Sequence, residues 1–171
     1  MLLWVIYEME YSKLKSRHYA MVYRVENNLK GYENTAISEE WKDFEKFKEW
    51  YDEYGVEGWE VDKDILSETN SKCYSSETCL MVPREINALF RSSKSKYGKG
   101  VYYDERDNKY YAQMRIDGKT KNCGSSSTAE GAHKLYVEQR KTHLRELLKR
   151  YENIDNQNAY QRLTQAMQQY L

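Results

Sequence analysis

Between Gly100 and Arg150 the spacing of apolar positions changes from two to three and four. Val101 and Tyr103 alternate with polar neighbours. Tyr110, Ala112, Met114 and Ile116 form one face of a second run whose other face is Tyr111, Gln113 and Arg115. Such alternation predicts half-buried strands, because successive side chains leave opposite sides of a sheet. Asp107-Asn108 and Asp117-Gly118 punctuate the runs, and the second pair is a two-residue hairpin signal. Ala132, Leu135, Tyr136, Leu144, Leu147 and Leu148 then recur at helical spacing, with Thr128 placed as N-cap. Three antiparallel strands followed by a long helix are the expectation here.

The preceding ninety residues carry other patterns. After a short apolar opening, Leu14, Met21, Val22, Val25 and Leu29 keep helical spacing up to Gly31. Ser38 before Glu39 and Glu40 predicts a helix start. From there Trp41, Phe44, Phe47, Trp50 (or Tyr51) and Tyr54 form an aromatic stripe read as core. Residues 59–66 alternate like a strand, a polar loop (SETNSKCYSSET) follows, and Cys79 to Pro83 reads as a second strand. Ile86, Leu89 and Phe90 fit one side of a short helix, which completes a ββα unit. In residues 152–171, Tyr160, Leu163, Met167 and Tyr170 predict an amphipathic helix, packed on its own chain or on a second copy in a homodimer. The fold class is α+β, divided as 1–91, a linker at 92–99, a sheet-and-helix module at 100–151 and a terminal helix at 152–171.

Charge sharpens this division. The chain of 171 residues has no net charge, yet residues 1–90 hold 11 Lys and Arg against 18 Asp and Glu. Residues 91–151 hold 15 against 7. A basic module tied to an acidic one points to nucleic acid as a partner of the former. Cys73, Cys79 and Cys123 show no paired metal spacing and fit reduced thiols in a cytoplasmic protein. The start, MLLWVIYEMEY, has neither the basic flank of a signal peptide nor the length of a membrane span, so no membrane partner is expected.

Two resemblances follow from particular residues. Gly100-Val101, the run Asn108 to Arg115, Cys123-Gly124 and Thr128-x-Glu130-x-Ala132 resemble the ethylene-response-factor (APETALA-type) DNA-binding domain over about fifty residues. That family lays its sheet in the major groove of double-stranded DNA. The resemblance implies outward side chains at Tyr102, Asp104, Gln113, Arg115, Thr120 and Asn122, with Lys109, Lys119 and Lys121 on phosphates. Arg115 suits guanine and Gln113 suits adenine. The aromatic that the family places after the third-strand glycine is absent, and Tyr102 and Asp104 stand where plant members carry arginines.

Residues 31–90 are similar to the HNH-type part of phage homing-endonuclease-like proteins. The similarity is carried by Val61-Asp62-Lys63-Asp64-Ile65-Leu66, Tyr74 to Cys79, and Val82-Pro83-Arg84-Glu85-Ile86-Asn87. It implies a DNA-cutting site in which Asp62 and Asp64 ligate Mg²⁺ and Asp62, Asp64 and Asn87 are the catalytic candidates. The histidine base of such sites has no counterpart, since no histidine lies between His18 and His133. His18 is read as an exposed helix residue, with approach to the strand pair as the alternative. His133 and His143 are read as surface residues or minor phosphate contacts. Three functions stay open: a phage or mobile-element endonuclease, a DNA-binding regulator on the same scaffold, and an inhibitor whose acidic half engages a host defence protein (anti-CRISPR or anti-restriction type). All three act in the host cytoplasm.

Overall fold

A computed structural model describes residues 2–67, 72–92 and 95–171, with side chains from residue 8 onward. Residues 68–71 of the expected polar loop and residues 93–94 of the expected linker lie outside the described residues. The chain forms two compact units: one runs to Val82 and takes in Asn156–Ala166, and the other comprises Pro83–Asp155 with Met167–Leu171.

In the first unit, α1 (Leu2–Glu26) absorbs the apolar opening into the first helix. β1 (Thr35–Ile37) then leads to two helices where the aromatic stripe predicts one, α2 (Glu39–Lys42) and α3 (Phe44–Tyr54). The break has a local cause. Ser38 Oγ accepts from the Trp41 N–H at 3.3 Å, and Asp43 Oδ1 accepts from the Glu45 N–H at 2.8 Å, so each short helix has its own N-cap. The stripe is core as expected. Phe47 is fully buried, and Trp41 packs edge-on to Phe47 and Trp50 with ring centroids 5.1 and 4.9 Å apart.

Four three-residue strands complete this unit's sheets. β2 (Glu60–Asp62) pairs antiparallel with β4 (Leu80–Val82), and β1 pairs parallel with β3 (Lys72–Tyr74). The expected strand at 59–66 is thus cut short after Asp62, where the chain turns. β3 lies inside the stretch read as polar loop, and neither β1 nor β3 is long enough to show a period. The last helix, α6 (Gln157–Met167), belongs to this unit through residue 166. Asn156 Nδ2 donates to the carbonyls of Glu53 and Gly55, both at 3.0 Å, and Arg162 donates to the Ser76 and Glu77 carbonyls. Ala159 and Leu163 are buried, so the helix's apolar face is covered within its own chain.

The second unit begins with α4 (Arg84–Phe90) and contains a three-stranded antiparallel sheet in the order β5 (Val101–Asp104), β6 (Lys109–Ile116), β7 (Lys119–Ser126). Asp117 and Gly118 join β6 to β7 with φ of +48° and +77°. Two successive positive φ values give the hairpin turn whose twist matches the strands. α5 (Ala129–Arg150) covers one side of the sheet, capped by Thr128 Oγ1 on the Gly131 N–H at 3.1 Å. Val101, Ala112 and Met114 are buried beneath it, with Ala132, Tyr136, Leu144 and Leu147. Leu135, at 38% exposed, is the member of the helical stripe that stays outside this core.

Candidate nucleic-acid interface

The alternation that buries one side of the second unit's sheet opens the other. Cross-strand register lines up Tyr102 with Tyr111, Asp104 with Lys109, Gln113 with Asn122, and Arg115 with Thr120. Tyr102, Lys109, Gln113, Arg115, Thr120 and Asn122 are exposed, and they share the face away from α5. An extra residue in β7 opposite Ala112/Gln113 makes a bulge at Cys123. The Asp117-Gly118 turn sets Thr120 and Asn122 opposite Arg115 and Gln113, and the bulge shifts the register beyond them, from Gly124 to Ser126. Asn122 Oδ1 folds back to accept from the Gly124 N–H at 2.7 Å, which leaves its amide nitrogen for other contacts.

Arg115 and Gln113 are the polar centre of this face. Arg115 Nε donates to the Gly118 carbonyl at 3.2 Å. That bond fixes the guanidinium plane while both terminal nitrogens stay free for a forked contact. The Gln113 backbone N–H donates to Gly100 O at 2.8 Å, and its carboxamide has no partner among the described residues. Lys109 stands on the open face. Lys119 and Lys121 are opposite Ile116 and Met114, in the rows that face α5, yet both are exposed because β7 is an edge strand. They flank the open face rather than lie on it.

The register also supplies a feature the linear pattern does not show. Tyr102 stacks on Tyr111 across the strands, with ring centroids 5.6 Å apart and planes 18° from parallel. Tyr111 donates its hydroxyl to Asp107, and this bond holds the phenol above its usual pKa. Asp104 is gripped by Arg106, with Nη2 to Oδ2 at 2.7 Å and Nε to Oδ1 at 3.1 Å. That contact holds the carboxylate below its ordinary range and offsets its negative charge on this face.

The candidate carboxylates of the first unit have other work. Asp62 is 6% exposed, and its Oδ1 accepts from the backbone N–H groups of Asp64 at 2.9 Å and Ile65 at 2.8 Å. Burial pushes its pKa up, against those two bonds. Asp64 pairs with the ammonium groups of Lys72 at 2.7 Å and Lys63 at 2.9 Å. Burial would raise its pKa, but the two lysines hold it below the usual value. Lys63 itself is buried over the rings of Tyr32 and Tyr74, at 5.3 and 5.5 Å. One carboxylate therefore shapes a turn and the other pairs with two lysines, each through its Oδ1 oxygen. Asn87 lies on α4, in the second unit, and donates its backbone N–H to the Pro83 carbonyl at 2.9 Å.

Two histidine expectations are corrected. His18 is 7% exposed, not a surface residue, and Nε2 donates to the Trp41 carbonyl at 2.8 Å. Its ring packs 5.6 Å from Phe44 and 5.3 Å from Phe47, within the aromatic core. His143 is 5% exposed, with Nδ1 at 3.3 Å from Glu146. His133 is half-buried, and its Nδ1 bonds the Lys99 carbonyl at 3.2 Å.

Comparison of the chain with protein-family models, with curated proteins and with solved structures yields no match. No helix among the described residues is long and apolar enough to cross a membrane.

Proposed function

We propose that this chain binds double-stranded DNA by placing the open face of the β5-β6-β7 sheet in the major groove. The observation that carries this reading is the pairing of a free Gln113 carboxamide and a half-anchored Arg115 guanidinium on an exposed sheet face whose other side is buried by α5. A two- or three-stranded ribbon fits the major groove, and these are the side chains that fork onto adenine and guanine edges. Tyr102 and Tyr111 add an apolar platform for a thymine methyl or a sugar, and Lys109, Lys119 and Lys121 supply phosphate contacts at and beside the face. The 15 cationic against 7 acidic residues of positions 91–151 give the segment the field that steers a polyanion.

Metal-dependent cleavage, which the HNH resemblance implies, is the part that Asp62 and Asp64 support least. The reading favoured here is a DNA-binding protein of phage or mobile-element type. The test is fluorescence anisotropy of the full chain with a labelled random-sequence duplex across a salt series. A supercoiled plasmid incubated with Mg²⁺ or Mn²⁺ is run beside it. Binding that weakens steeply with salt, and that drops in Arg115→Ala, supports the reading. Absence of duplex binding at low salt overturns it, and nicking lost in Asp62→Asn restores the nuclease.

A further inference from the structure

Beside the open face, the second unit contains a cavity of about 610 Å³, walled by α4, the β6–β7 hairpin and α5. Its size is in the range of sites that hold small organic ligands. Leu89, Met114 and Tyr136 give it an apolar wall, and Arg84, Arg91 and Lys99 are its cationic lining residues apart from Arg115 of the open face. Two carboxylates, Glu85 and Asp117, also line it. Glu85 is already engaged, accepting from the Tyr151 hydroxyl at 2.8 Å and from Arg150 at 3.4 Å. Lys99 is held in place by donating to the Leu89 carbonyl at 2.7 Å and to the Arg91 carbonyl.

A buried polar group points the same way. His143 lines the cavity while its Nδ1 faces Glu146 at 3.3 Å, which leaves Nε2 as the open ring nitrogen. Cations around an apolar wall with one buried imidazole call for a ligand that is anionic at one end and flat and apolar at the other. Gln113 and Arg115 of the proposed reading face also border the cavity, so such a ligand would sit at the edge of a bound duplex.

We propose that this cavity holds a nucleotide, with its phosphate on the arginine and lysine side chains and its base against Leu89, Met114 and Tyr136. The nucleotide comes either free from solution or everted from the bound duplex. Only the second source rests on the DNA-binding reading. An everted base costs its stacking and pairing, and the cost is least at a mismatch.

Two measurements on the full chain test this. Calorimetry with dAMP, dTMP and inorganic phosphate probes the free source. Anisotropy with a duplex carrying one mismatch, against its fully paired counterpart, probes the everted source. Ala88→Trp fills the cavity from an exposed position of α4, and Arg91→Glu reverses one rim charge without filling it. Far-UV circular dichroism checks that both variants fold. The expected result is mononucleotide binding, or about tenfold tighter binding of the mismatched duplex, that is lost in Ala88→Trp and weakened about tenfold in Arg91→Glu.

Equal binding of both duplexes with no mononucleotide heat overturns the inference and leaves the DNA reading standing. Mononucleotide binding without any duplex binding upholds the cavity and overturns the DNA reading. Inorganic phosphate binding as tightly as the mononucleotides, or a preference unchanged in Ala88→Trp, refutes the base pocket.

Discussion

Replacing Asp62 by asparagine and by alanine separates the two roles open to this carboxylate. As a turn residue, Asp62 serves through one oxygen that accepts from the N–H groups of Asp64 and Ile65, at 2.9 and 2.8 Å, in a site only 6% exposed. Alanine leaves two donors without an acceptor at a buried turn, each costing about 1–3 kcal/mol. Removing a charge that burial disfavours returns part of that, so Asp62→Ala should lose about 3 kcal/mol. Asparagine keeps the accepting oxygen and drops the charge, so it should stay within about 0.5 kcal/mol of the parent at neutral pH, or exceed it.

The pH dependence has a definite sign. Burial raises the folded pKa of Asp62 above its ordinary 3.8, so the folded state holds the proton more tightly than the unfolded chain does. Stability from this group is therefore present below the unfolded value and lost as pH rises through the folded one. The parent should lose ground to Asp62→Asn across that window and stay level with it below. Urea unfolding followed by tryptophan fluorescence, in a pH series from strongly acid to neutral, reads both quantities. Asparagine as damaging as alanine, or alanine as stable as the parent, refutes the turn role.

The remaining predictions concern the sheet and the core. Arg115→Ala should cost about 1–3 kcal/mol of duplex affinity at a preferred site and relax sequence preference, whereas Lys109→Ala should weaken all sequences alike and flatten the salt slope by about 1, both read by anisotropy. Gly100→Ala should destabilise by more than about 2 kcal/mol, because a Cβ there would sit 2.2 Å from Tyr136 Cδ2 and 2.8 Å from the Gln113 carbonyl at a φ of +76°. Gly118→Ala has open space around it and should cost only about 1 kcal/mol for its φ of +77°; equal midpoints for the two glycine variants in thermal melts would contradict the packing of Tyr136 on Gly100. Phe47→Ala should lose about 3–5 kcal/mol in the same melts, since the ring is fully buried among Trp41, Trp50, Tyr51 and His18.

The local chemistry of the second unit was legible in the sequence. Period-two alternation in residues 101–116, the Asp117-Gly118 turn and the Thr128 cap each act within a few residues, so strands, hairpin and helix could be placed before any contact was known. The aromatic stripe of residues 41–54 was legible as core for the same reason, although the second cap at Asp43 split it into two helices. β1 and β3 could not be read, because three residues carry no period and their pairing joins residues 37 apart, from Thr35 to Lys72.

The candidate site divides along the same line. Sequence alternation named Gln113 and Arg115 as neighbours on one face, but the stacking of Tyr102 on Tyr111 and the displacement of Lys119 and Lys121 depend on cross-strand register. Side-chain environment was decided only by the tertiary structure. His18 and Asp62 are polar residues in polar runs, and nothing local reveals that the Trp41 carbonyl waits for one or that two backbone N–H groups claim the other. Residue type and spacing fix what a side chain can do, while burial and partners, which arrive from distant parts of the chain, decide whether it is free to do it.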